Sequence, residues 1–333
     1  MSSNGEPVDD ARSQWAGRLN EWLDEVVRPS QQFPADLIHW EFPTDELKNE
    51  YLAQIYTRPD DEVRTLIRRF SIESGRLGAD DWTIRSLSWA LKNDHAQARR
   101  MLLFESTRRL LLSARDGAPP PWEGTTWILD LLPHWPREAL NALSAYLLAH
   151  AQQLPDGRRG GLYDIQSIIR ARWIEVPRGS SAGTRKHASL AALTPREFEH
   201  VVEALMNGMG YATRLTPASA DGGRDIEARL ERPSARALVY VECKLHARPI
   251  GVHFVRALLG AVATGRANKG LLVTNSSFTR GSLALEAIDT HVELVSGTQL
   301  IELLNEYVSP AWENRLDKIL EASKLRQMSA DAP

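Results

Sequence analysis

The sequence predicts an all-α N-terminal domain followed by an α/β C-terminal domain, a mixed sheet flanked by helices. Three observations carry this expectation. Nine of the ten tryptophans fall before residue 180, and only Trp312 lies beyond. Apolar residues of the first half recur at three- and four-residue spacing, the period of a helix face, with no convincing alternation. After residue 210, short segments alternate polar and apolar residues, the period of half-buried strands, with helical stripes between them. At 333 residues the chain is also too long for one ordinary core.

In the first half, Trp15, Leu19, Trp22 and Val26 form one stripe behind Asp9 and Asp10, a helix-start signal. Leu47, Tyr51 and Ile55 form the next, and Val63, Ile67 and Phe70 another. Trp82, Leu87 and Leu91 follow the cap candidate Asp80. One longer helix is expected over 96–112, carrying Met101, Leu102, Phe104 and Leu110. Pro119-Pro120-Pro121 cannot be helical. Pro136 opens a helix with Leu140, Leu143, Tyr146 and Leu147 on one face, and 163–173 reads as a further helix. Residues 155–161, from Pro155 to Gly161, read as a loop. The tryptophans read first as filling for a helical core, and second as a surface on which bases or a ligand stack.

Residues 177–190 follow as a flexible basic linker, from Pro177-Arg178-Gly179-Ser180 onward. The functional alternative for this stretch is a strap contacting phosphates. Thr194-Pro195-Arg196-Glu197 then combines a cap residue, a proline at the first helical position and a glutamate placed for a capping box. Phe198, Val201, Val202, Leu205 and Met209 make that helix's apolar face, and Gly210 ends it. Strands are expected over 211–216, 225–230, 238–245, 270–274 and 292–295, with a turn at 219–223. Helices are expected over 252–266, 282–288, 298–307 and 312–324, so the domains read as 1–176, the linker 177–190, 191–310, and a C-terminal helix and tail over 311–333.

Composition narrows the function classes. A hydrophobic fraction of 43% and a charged fraction of 25% exclude a disordered, collagen-like or membrane-spanning chain. A net charge of −3 argues against a general nucleic-acid coating protein, while leaving room for a local basic patch. The single cysteine, Cys243, excludes an intramolecular disulfide and a cysteine-based zinc finger. The segment from Met1 to Asp10 has neither a basic start nor an apolar run, so a cytoplasmic protein without a secretory signal is expected.

Chemistry concentrates where the strands of the second half meet. In Glu242-Cys243-Lys244, strand alternation puts Glu242 and Lys244 on one face and Cys243 on the other. Asp225 opens the preceding strand after a glycine turn, and a hairpin brings it toward Glu242. Two carboxylates repel unless a cation lies between them, and hard oxygen donors suit Mg²⁺. A lysine beside them stabilises charge developing on a phosphate. Taken singly, a Glu-x-Lys pair is an ordinary surface pair and Asp225 an ordinary turn residue. The combination is the set of parts that hydrolyses a phosphodiester.

The surroundings carry a resemblance. Phe198-Glu199, Gly208-Met209-Gly210-Tyr211, Asp221-Gly222-Gly223-Arg224-Asp225-Ile226, Val241-Glu242-Cys243-Lys244, Gly270-Leu271-Leu272-Val273-Thr274 and Phe278-Thr279 follow in order. Over 193–304, about a third of the chain, this resembles the catalytic domain of Mrr-type restriction endonucleases in the PD-(D/E)xK nuclease superfamily. The resemblance implies a restriction-endonuclease-like fold, with Asp225, Glu242 and the Cys243 backbone carbonyl as metal ligands. It implies Lys244 as the catalytic lysine and Glu199 as an added acidic residue beside the metal. It departs at Glu242, where many Mrr-type domains carry glutamine, and at Arg224, which replaces a commonly apolar residue. Arg224, Thr274, Asn275 and Ser276 are the candidate DNA contacts.

The leading functional expectation is an endonuclease dependent on Mg²⁺, with Mn²⁺ as a substitute, acting on double-stranded DNA in bacterial defence. Cutting both strands calls for two active sites or two nicks, which fits a homodimer. The helical half would then recognise DNA, a partner or an activating ligand. The alternatives are a nuclease-fold effector gated by such a partner or ligand, and a binding module that does not cut. RNA stays open as substrate, since chemistry at the phosphate does not identify the sugar.

Overall fold

The computed structural model describes residues 15–27, 40–114, 118–176, 180–216, 223–232 and 235–330. Asp9-Asp10, Pro177-Arg178-Gly179 and the turn residues 219–222 lie outside the described residues. The chain divides into two compact units, Met1–Arg172 and Trp173–Pro333.

The first unit is helical, and among its described residues no strand forms beyond an isolated bridge between Gly75 and Trp122. Its helices are α1 Leu19–Val27, α2 Asp45–Ala53, α3 Asp60–Phe70, α4 Asp80–Asn93, α5 His95–Met101, α6 Glu105–Ser113, α7 Pro136–His150 and α8 Asp156–Ile169. Most of the three- and four-residue stripes bury, with Trp22, Tyr51, Val63, Ile67, Phe70 and Leu143 fully enclosed, but of Trp82, Leu87 and Leu91 only Leu87 is buried, Trp82 and Leu91 being 67% and 44% exposed. Phe42 joins this core through rings, with centroids 5.2 Å from Trp22, 5.4 Å from Tyr51 and 5.3 Å from Phe70. Offset and edge-on arrangements of this kind add to the area the rings remove from water.

Three further expectations about this unit are corrected. The single helix over 96–112 is two, because the chain turns at Leu102-Leu103-Phe104 and the Arg108 guanidinium takes the carbonyls of Leu102 and Leu103, at 2.8 and 2.9 Å. The loop at 155–161 is instead the first turns of α8. Its glycines there are a packing requirement, since a Cβ on Gly161 would run into the Trp40 carbonyl. Asp80 does not cap α4: it is the helix's first residue, 1% exposed, and accepts from Leu77 N at 2.5 Å and Trp122 Nε1 at 2.7 Å.

The second unit holds α9 Ser181–Ala191, α10 Pro195–Gly208, β1 Ala212–Leu215, β2 Ile226–Arg232, β3 Ala235–Lys244, α11 Val252–Gly265, β4 Lys269–Thr274, α12 Arg280–Glu286, β5 Val292–Val295, α13 Gly297–Tyr307 and α14 Leu316–Ala330. The strands lie in sequence order in one sheet, the first three antiparallel and the last two joining parallel. Each parallel step needs a crossover, and α11 and α12 supply the two. One face of the sheet packs Val239, Val241, Val273 and Val295 against Phe198, Val201 and Val202 of α10, Leu300, Ile301 and Leu304 of α13, and Trp312. The other packs Tyr240, Leu272 and Leu294 against Val255, Leu258 and Val262 of α11. The capping box forms as read: Thr194 and Glu197 exchange side-chain-to-backbone bonds at the start of α10.

The linker expectation is corrected for 181–190, which is helical because Ser180 caps α9 through Gly183 N at 3.0 Å. Lys186 on that helix is buried and donates to Asn305 Oδ1 at 2.7 Å and to the Pro310 carbonyl at 2.6 Å. Within 311–330 the chain also joins the core, with Trp312 wholly enclosed and Leu320 buried. On α14, Arg326 pairs with the buried Glu203 at 2.7 Å, and Gln327 accepts from Leu215 N at 2.9 Å on the outer strand β1.

Candidate active site

The site forms where β2 begins and β3 ends. Gly223, at φ +81, turns the chain into β2 with a conformation that a side chain disfavours. Asp225 then sits between two neighbours: its amide donates to the Val241 carbonyl at 2.8 Å, and its carbonyl accepts from Thr216 N at 2.8 Å. The antiparallel register pairs Ile226 with Val241, so the next step sets Asp225 alongside Glu242. The Asp225 carboxylate turns back across the strands and accepts from Cys243 N at 2.6 Å through Oδ2.

Alternation on β3 behaves as the sequence predicts. Glu242 and Lys244 share a face and Nζ lies 2.8 Å from Glu242 Oε1, while Cys243 packs against the core on the other side. Glu242 is 7% exposed, and the Lys244 side chain 30%. Burial works against the Lys244 charge, but the Glu242 hydrogen bond and the charges of Glu242 and Asp225 outweigh it and raise the pKa above the usual lysine value. The Lys244 ammonium also lies 5.4 Å from the centroid of the Phe254 ring on α11. Burial, with the Asp225 and Glu199 carboxylates beside it, pushes the Cys243 thiol well up, so it is a neutral core group and no nucleophile.

Glu199 approaches from α10. Burial raises its carboxyl pKa, the Arg196 hydrogen bond opposes that, and the Asp225 charge adds to the rise while Lys244 lowers it, which ties all four groups into one electrostatic cluster. Arg196 Nη1 lies 2.5 Å from Glu199 Oε2 and also donates to the Thr216 carbonyl at 3.2 Å.

Of the candidate DNA contacts, Thr274 is corrected. It is wholly buried, and its hydroxyl donates to the Lys244 carbonyl at 2.7 Å, so its work is to hold β3 against β4. Asn275 and Ser276 are half-buried and serve the adjoining loops: Asn275 Oδ1 accepts from His246 N at 2.8 Å, and the Ser276 carbonyl from Gly297 N at 2.7 Å. Arg224 pairs with Glu227 at 2.8 Å and lies 4.5 Å over the Tyr240 ring. Sequence reasoning missed Arg196, Thr216, Phe254 and Glu227 as neighbours of the site. Arg196 had a signal, its i,i+3 spacing from Glu199, whereas the others arrive from separate elements.

Among the described residues, no three histidine, cysteine, aspartate or glutamate side chains are grouped to hold a metal ion. What β2 and β3 hold is of another kind: two carboxylates on paired strands, with a lysine that offsets part of their repulsion. That composition suits a hard cation which takes one or two carboxylates and keeps waters.

Residues 190–304 match the Mrr_cat family, described as restriction endonuclease. The C-terminal unit carries a Mrr-type restriction endonuclease domain. The chain is similar to the "Type IV methyl-directed restriction enzyme EcoKMrr" of Escherichia coli K12, at 27% identity over 123 residues, covering 35% of this chain and 40% of that protein. It is also similar to the "Uncharacterized protein y4cE" of Sinorhizobium fredii, at 30% identity over 131 residues, covering 38% of this chain and 33% of that one. Among solved structures, AspBHI, a DNA modification-dependent restriction endonuclease, aligns with a TM-score of 0.38 at 21% identity, covering 45% of this chain and 41% of that one. The MspJI restriction endonuclease in complex with a 27-mer oligonucleotide aligns with a TM-score of 0.36 at 17% identity, covering 52% and 44%. The chain thus spans less than half the length of each of these proteins. No helix among the described residues is long and apolar enough to cross a membrane.

Proposed function

We propose that the Mrr-type domain hydrolyses phosphodiester bonds of double-stranded DNA with the help of a divalent cation. One observation carries the reading: Asp225, Glu242 and Lys244 converge at the shared end of two paired strands, with Lys244 charged and 2.8 Å from Glu242. Asp225, Glu242 and the Cys243 carbonyl would hold the ion, Mg²⁺ or in its place Mn²⁺. Such an ion, when bound, neutralises charge on phosphate oxygens and makes water a better nucleophile at neutral pH.

The protein's own groups do the rest. The Cys243 amide and the two backbone bonds on Asp225 hold its carboxylate in one orientation without cost at the moment of reaction. Lys244 presents an ammonium to the charge that develops on the phosphate, and its hydrogen bond to Glu242 and the Phe254 ring keep that ammonium in place. Glu199, steered by Arg196, adds a third carboxyl near Asp225. The E. coli relative is a methyl-directed restriction enzyme, which supports a role in defence against foreign DNA.

The test is plasmid cleavage. Supercoiled plasmid incubated with the full chain and Mg²⁺ is expected to be nicked or linearised, and left intact in EDTA. Lys244→Ala and Asp225→Ala, folded by circular dichroism, are expected to cut at least about 100-fold more slowly. Equal cutting by either variant refutes the assignment.

A further inference from the structure

The helical unit carries an open groove of about 420 Å³ lined by Trp82, Arg85, Ser86, Trp89 and Gln97. Trp82 is 67% exposed and Trp89 56%, so neither indole belongs to a core. The residues from α4 fall at i, i+3, i+4 and i+7, one face of the helix, while Leu87 and Ala90 lie off that face and pack against Ala98 of α5. The nuclease site does not use this groove, and a monomeric surface rarely leaves two large indoles side by side in water.

We propose that this face of α4 binds a single-stranded stretch of nucleic acid, its bases stacking on Trp82 and Trp89 and a phosphate on Arg85. Seven helical residues rise about 10.5 Å. Arg85 and Ser86 lie midway along that rise, and Gln97 faces them from α5 with an amide that can reach a base edge or sugar.

Charge agrees with the ligand. Over α4 and α5 the cations Arg85, Lys92, Arg99 and Arg100 stand against the exposed Asp81 and the cap Asp94, with Asp80 buried, in a chain of net charge −3. The Asp94 carboxylate already accepts from Gln97 N at 3.0 Å as the cap of α5. Aromatic faces interleaved with cations hold single strands whatever their sequence, because every base has a π-face.

The ligand class rests on the nuclease reading, and the test keeps the two apart. Binding of a fluorescein-labelled twelve-residue oligothymidylate to the full chain is followed by anisotropy in EDTA, where no cleavage occurs. The wild type is expected to bind it more tightly than a duplex of the same length and more tightly than an abasic strand of the same charge. Trp82→Ala with Trp89→Ala is expected to weaken binding by at least about 10-fold, with Trp82→Phe and Trp89→Phe restoring most of it. Both side chains are exposed, so a change in folding is not the readout. Unchanged affinity in the double alanine variant, a preference for duplex, or no oligonucleotide binding at all overturns the proposal; the last result leaves the groove to a protein partner. Plasmid cutting without oligonucleotide binding sinks this inference alone, and binding without cutting sinks the nuclease reading alone.

Discussion

The two units differ in how their helices begin and in where their tryptophans lie. In the C-terminal unit, Ser180, Thr194, Thr279 and Ser296 each cap a helix through their own side chains. In the helical unit Thr44 and Asp94 do the same for α2 and α5, but α3, α4, α6, α7 and α8 start at Pro59, Ala79, Phe104, Trp135 and Pro155 with no side-chain cap bond, as α11 does at Gly251 in the C-terminal unit. Trp312 is sealed in the C-terminal core, while Trp82, Trp89, Trp127 and Trp135 of the helical unit are each more than half exposed. The difference teaches that local signals and tertiary packing agree in one unit and part company in the other. A cap residue marks a helix start whatever surrounds it, whereas an uncapped start is set by what the segment packs against.

That contrast can be broken most directly at the tryptophans. Trp312→Ala is expected to destabilise the C-terminal unit by about 3–5 kcal/mol, while Trp82→Ala shifts stability by no more than about 0.5 kcal/mol. Urea unfolding followed by circular dichroism reads both, and similar losses would erase the distinction between core and surface rings.

Within the C-terminal unit, Glu199 and Glu203 lie one turn apart on α10 with opposite assignments. Glu199→Gln is expected to slow plasmid cleavage about 10- to 100-fold with little change in unfolding. A variant that cuts normally makes Glu199 a surface glutamate. Glu203→Gln is expected to leave the chemistry in place and cost about 1–3 kcal/mol of stability at neutral pH. Burial raises the Glu203 carboxyl, but its hydrogen bonds with Arg326, Ser323 and Thr213 outweigh that and hold it below the usual glutamate value. Its stabilisation is therefore complete above the ordinary glutamate range and is lost as pH falls through the lower, folded value. Unfolding curves of variant and wild type should converge on acidification, and a constant gap would contradict the pairing.

The smallest expected effect is at the capping box. Thr194→Ala removes the bond to Glu197 N and should cost about 1 kcal/mol, seen as a lower urea midpoint at unchanged slope.

Much of the C-terminal unit was legible for the reasons these comparisons expose. Alternation over 225–230 and 238–245 identified β2 and β3, and pairing them as a hairpin brought Asp225 to Glu242. Alternation put Lys244 beside Glu242, the resemblance then added Glu199, and the structure gathers both into the same charged cluster. The helical unit was legible only as helices. Its glycine-rich stretch at 157–161 reads as a loop until Trp40 is seen pressed against Gly161, a contact between residues more than a hundred positions apart. Asp80 reads as a cap until Trp122 supplies it with a donor.

By itself the sequence determined what depends on near neighbours: the capping box at Thr194, the shared face of Glu242 and Lys244, and the stripes that bury Trp22, Tyr51 and Phe70. Backbone geometry sets these periods, so they survive in any surroundings. Tertiary structure alone decided that Thr274 is wholly buried, that Phe254 stands beside Lys244, that residues 311–330 complete the nuclease core, and that α4 turns Trp82 and Trp89 outward. Each of these depends on which distant segment arrives to cover a face, a sum of many small packing contacts that no local pattern encodes.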